Sequence, residues 1–88
     1  MTINEAILFV LSDTYHNPTT DVIRLVQDLE WPECDPTAKD IVDALQAMEK
    51  EHIVAHLMAH SVSLWRRRTT REVSEWQAEQ RGEQGSLL

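Results

Sequence analysis

Through the first half of the chain, apolar residues recur at helical spacing, and the breaks between them fall on good capping residues. Ile3, Ile7, Leu8 and Leu11 mark one stripe behind the capping box Thr2-Ile3-Asn4-Glu5, and Phe9 and Val10 widen it. The pattern predicts a first helix over 3–14, packed on more than one side. Asn17-Pro18 opens a second over 18–30, because Asn caps well and Pro suits a first helical turn. Val22, Ile23, Val26 and Leu29 form its inward side, Asp21, Arg24, Gln27 and Asp28 its wet side, and Trp31-Pro32 ends it. Asp35-Pro36 repeats the device and predicts a third helix over 36–51. Here Ala38, Ile41, Val42, Leu45 and Met48 face inward, and Lys39, Asp40, Asp43, Gln46 and Lys50 face water.

After His52 the texture changes. Residues 53–59 and 62–65 read as two short strands joined at His60-Ser61, with β-branched and aromatic residues at their ends. Leu57, Met58 and two alanines are also good helix formers, and Ile53, Leu57 and Leu64 fit a helical stripe, so a continuous helix stands as the alternative. Thr69 or Thr70 then caps a last helix over about 71–80, which carries Val73 and Trp76. The expected fold class is α+β, mostly helical: a winged-helix-like three-helix core, a two-stranded hairpin as wing, and a C-terminal helix. One domain covers 1–80, and 81–88 reads as a flexible tail.

Two stretches sharpen this layout. Leu45-Gln46-Ala47-Met48-Glu49-Lys50-Glu51-His52-Ile53-Val54 resembles the end of the recognition helix in bacterial regulators of the MarR and PadR type. Leu64-Trp65-Arg66-Arg67-Arg68-Thr69 is similar to their returning wing strand and the Thr that caps the next helix. The resemblance covers about 3–76 and implies a winged helix-turn-helix regulator that binds DNA. The chain departs from it at His52, where those families usually place Gly, and at the wing tip, where His60 and Ser61 replace Gly or Asp. Asp40 and Asp43 also lie on the helix face that would approach phosphates.

Composition narrows the chemistry. Eighty-eight residues make one domain. Cys34 is the single cysteine, flanked by Glu33 and Asp35, which excludes an intramolecular disulfide and disfavours a thiolate nucleophile. The two glycines, Gly82 and Gly85, build no phosphate loop or dinucleotide fingerprint. The longest apolar run has six residues, Ala6 to Leu11, so a cytoplasmic protein without a membrane partner is expected. Neither an enzyme nor a cofactor is expected.

The net charge of −7 speaks against bulk nucleic-acid binding, but it is unevenly spread. Residues 1–63 set eleven acids against three bases, whereas 64–71 carry Arg66, Arg67, Arg68 and Arg71 with no acid. These four are candidates for phosphate contacts, and Thr37, Lys39 and Gln46 are candidates for a groove. The competing expectation is internal pairing, including Arg71 with Glu75 one turn on. His52, His56 and His60 recur every four residues, a spacing compatible with a metal on a helix or a strand, but solvated histidines are the plainer expectation. Trp31, Trp65 and Trp76 are expected in the core or at its rim, and Trp65, beside three arginines, is the one to watch at an interface. Two functions follow: a small winged-helix regulator that binds DNA through the arginine patch, weakly or as a dimer through the Ile- and Leu-rich first helix, or an acidic winged-helix-like module that binds another protein through its acidic helices or the apolar edge of the hairpin.

Overall fold

A computed structural model describes residues 1–81. The elements in order are α1 (Ile3–Val10), β1 (Asn17–Pro18), α2 (Thr19–Gln27), α3 (Ala38–Lys50), β2 (Val54–Ala59), β3 (Val62–Arg67) and α4 (Thr70–Gln80). The fold is therefore α+β and mostly helical, with a three-helix core, a hairpin and a C-terminal helix. The expected tail lies outside the described residues, Arg81 excepted.

Helix starts follow local chemistry. At Thr2, Thr37 and Thr69 the hydroxyl accepts from the backbone N–H three residues on, and the acid there accepts from the threonine's own N–H. Two expected caps are corrected. Asp35-Pro36 does not open α3; Thr37 with Asp40 does, and the carbonyl of Pro36 instead accepts from Gln27 Nε2 at 3.0 Å. Asn17 does not cap α2, because Asn17-Pro18 forms a strand and Pro18 occupies the cap position without a side-chain bond. The first helix stops at Val10 rather than 14: Leu11 turns to extended geometry, and the Ser12 carbonyl accepts from Arg67 N at 2.8 Å.

Residues 53–65 are not helical. β2 and β3 pair antiparallel from Val54↔Arg67 to Ala59↔Val62, and β1 joins the other side of β3, giving the order β1-β3-β2. Only two residues separate the strands. His60 and Ser61 sit at φ 51° and 65°, the positive values a type I′ turn needs for its twist to match the strands. His52, at φ 59°, ends α3 in the left-handed region: its N–H bonds Glu49 O and the N–H of Ile53 bonds Met48 O, a Schellman pair. Each of the three positions where the sequence departs from the glycine-rich pattern thus adopts the geometry glycine would favour.

Ile7, Val22, Val26, Ile41, Leu45, Met48 and Val54 are fully buried where the three helices meet the sheet. At roughly 25 cal/mol per Å² of apolar surface, each contributes about 1.5–3 kcal/mol on burial. One expectation fails. Phe9 is 72% exposed and does not widen the buried face, whereas Leu8 and Val10 pack partly against the core, and Ile7 and the C-cap residue Leu11 belong to it. Trp65 is also core; its Nε1 donates to Thr19 Oγ1 at 2.7 Å, and Thr19 in turn donates to Ser63 O at 3.3 Å. α4 contributes no fully buried residue. The Cα radius of gyration is 14.8 Å, against roughly 12 Å for a compact chain of this length, in keeping with a last helix that stands off the core.

Candidate functional site: the arginine cluster and the wing

The four candidate arginines span the end of β3 and the start of α4 and meet different partners. Arg66 holds Glu72 with both nitrogens, Nη1 to Oε1 at 3.0 Å and Nη2 to Oε2 at 2.9 Å, the fork geometry that gives guanidinium–carboxylate pairs their strength. Arg68 Nη1 reaches the same Oε2 at 3.4 Å. Arg67 turns the other way, donating to Leu8 O at 3.0 Å with Asp13 at 4.0 Å. Arg71 donates to Glu75 at 2.9 Å on the exposed side of α4. The internal pairing weighed from the sequence is thus present for all four.

Glu72 is the centre of this arrangement. The Arg66 bond, reinforced by the Thr69 backbone N–H, lowers its pKa to about 2. The same contact raises the Arg66 pKa above its ordinary value. One carboxylate therefore closes the α4 capping box and ties β3 to α4. The arginines stand out in the sequence by their charge, and their partner does not. The Thr69-x-x-Glu72 box was the available signal, since it fixes the Glu72 carboxylate at the helix start next to Arg66 and Arg68.

The helix-face candidates are exposed and more scattered. Thr37 is taken up as the α3 cap; Lys39 pairs with Asp43 at 2.8 Å, which raises the lysine pKa; Gln46 is exposed further along the helix. The histidines separate: His52 ends α3, His56 lies on β2, and His60 is at the turn. His52 stacks on Trp76 at 4.9 Å, and His56 stacks on Trp65 at 4.3 Å with Nδ1 3.8 Å from Glu49. Among the described residues no three His, Cys, Asp or Glu side chains converge on a metal position. Cys34 is exposed, and no described helix is long and apolar enough to cross a membrane.

The apolar edge of the hairpin is one of the two surfaces expected to meet a protein partner, beside the acidic helices. Leu57 and Val62, 48% and 46% exposed, share one face of the outer hairpin, while Met58, 56% exposed, lies on the other beside Ser63, and the outer hairpin carries no formal charge. Alternation would have predicted one wet face, but Leu57, Leu64, Ala59 and Val62 pair across that face with no polar residue among them. Comparison of the chain with protein-family models, with curated proteins and with solved structures finds no match.

Proposed function

We propose that the chain is an acidic protein-interaction module on a winged-helix-like frame, with the wing's apolar outer surface as its contact and a cationic protein surface as its partner. The observation that carries this reading is the pairing of Arg66, Arg67, Arg68 and Arg71 with Glu72, Asp13 and Glu75, in a chain of net charge −7 whose outer hairpin is apolar and uncharged. An apolar centre inside a charged surround is the anatomy of a protein interface. Complementary charge speeds encounter with a basic partner. The exposed lone thiol of Cys34 suits a reducing compartment, and we place the protein in the cytoplasm.

The test is an amide-shift titration with a synthetic basic amphipathic peptide, Lys on one side and Leu on the other, beside a Lys/Ser peptide of equal charge. The reading expects shifts centred on Leu57, Met58 and Val62 with the first peptide and at least tenfold weaker binding of the second. Equal affinity for both peptides, or shifts confined to the acidic helices, refutes it.

The regulatory reading keeps one structural support, the exposure of Lys39 and Gln46 on α3 in a winged-helix-like arrangement. In that reading Arg66, Arg67, Arg68 and Arg71 would have to exchange carboxylates for phosphates.

A further inference from the structure

A cleft of about 340 Å³ opens where α4 leans away from α1 and the base of the hairpin. Leu8, Ile53 and Val73 form its apolar wall, and Arg68, Thr70 and Ser74 form a polar side. That volume lies at the low end of small-ligand sites, which combine mostly apolar lining with a few placed polar groups.

Charge at the cleft is unbalanced. Arg66, Arg67 and Arg68 share two carboxylates, Glu72 and Asp13. Arg66 holds Glu72 through two short bonds, so Arg68 has a single longer contact to an oxygen already engaged. The Nε of Arg68 is buried and has no hydrogen-bond partner. The planar guanidinium of Arg68 lines the cleft and its side chain is 24% exposed, a group that matches a carboxylate.

We propose that this cleft binds a small monocarboxylate with an unbranched apolar body, its head on Arg68 and its chain along Leu8, Ile53 and Val73. The hydroxyls of Thr70 and Ser74 supply additional donors at the polar side. Such a ligand bridges α4 to the core and orders a helix that has no buried residue of its own. The site is independent of the wing, so its failure leaves the interaction reading intact.

The probe is sodium octanoate at pH 7, with octanol and acetate as matched controls lacking the charge or the chain. Amide shifts locate binding, and melting temperature reports its stabilisation. Octanoate is expected to shift Leu8, Ile53, Val73 and Ser74 and to bind at least tenfold more tightly than either control. Arg68→Gln keeps most of the stem and is expected to weaken octanoate tenfold or more while leaving octanol unchanged. Ser74→Trp fills the cleft from an exposed position and is expected to abolish binding with the far-UV spectrum retained. Should Arg68→Gln fail to fold, Ser74→Trp and the wild-type shift map decide. Octanol binding as tightly as octanoate, shifts centred on Leu57 and Val62, or full affinity in a folded Ser74→Trp protein each overturns the proposal.

Discussion

Replacing Glu72 by Gln separates its two roles. Glutamine still completes a capping box, so the α4 start is kept, while the charge facing Arg66 and Arg68 is removed. The carboxyl pKa falls from about 4.5 to about 2 on folding. At about 1.4 kcal/mol per unit, the full linkage is roughly 3 kcal/mol. The Glu72 side chain is 32% exposed, so solvent screening reduces this to about 1–2 kcal/mol. For a domain of this size that is a melting-temperature loss of roughly 5–15 °C at pH 7. Because folding depresses this pKa, the stabilisation is complete above the unfolded value and fades as pH falls from about 4.5 towards 2. Urea unfolding of wild type and Glu72→Gln at pH 7, 4 and 2.5 measures the difference directly. Equal stability at pH 7, or a gap that stays constant down to pH 2.5, refutes the idea that the ion pair, and not the cap, holds α4.

Other perturbations test the frame. Changing His60-Ser61 to Asn-Gly places residues suited to positive φ in the turn and is expected to stabilise by about 1 kcal/mol or more in thermal unfolding. His52→Gly gains in the same way but loses the Trp76 stack, worth about 0.5–1.5 kcal/mol, so its net change should be near zero while α4 amides exchange faster. Thr19→Val leaves the Trp65 indole N–H buried without its acceptor and should cost about 1–3 kcal/mol in urea unfolding. Leu45→Ala should cost about 2–5 kcal/mol by the same measurement, because the site is fully enclosed.

Much of the fold was legible because local rules and burial agree. The Thr2 box, the α2 stripe at Val22 and Val26, and the α3 stripe at Ile41, Leu45 and Met48 all stand where spacing put them, and of the two expected caps of α4, Thr69 is the one used. The hairpin was harder, since Leu57, Met58 and the alanines favour helix. Cross-strand pairing from Val54 to Ala59 and the left-handed backbone at His52, His60 and Ser61 override that preference. β1 was illegible: two residues carry no period, and Asn17-Pro18 is a strand only because Trp65 and Leu64 of β3 lie beside it. The early end of α1 has a similar cause, a bond from Arg67 N to Ser12 O across more than fifty positions. At the candidate site, counting charge found the arginines, but only geometry shows that Glu72 takes two of them and that Arg67 turns to the Leu8 carbonyl.

Whether those arginines are available to the phosphates of a duplex decides between the protein-binding and the DNA-binding reading. Fluorescence anisotropy with a generic duplex at about 50 mM and about 200 mM salt measures this, using wild type and the triple Arg66/Arg67/Arg68→Ala variant. The account predicts a Kd weaker than millimolar at the lower salt and no difference between the two proteins. A micromolar Kd that weakens steeply with salt and is lost in the triple variant contradicts it, because each phosphate contact contributes about 0.9 to the salt slope.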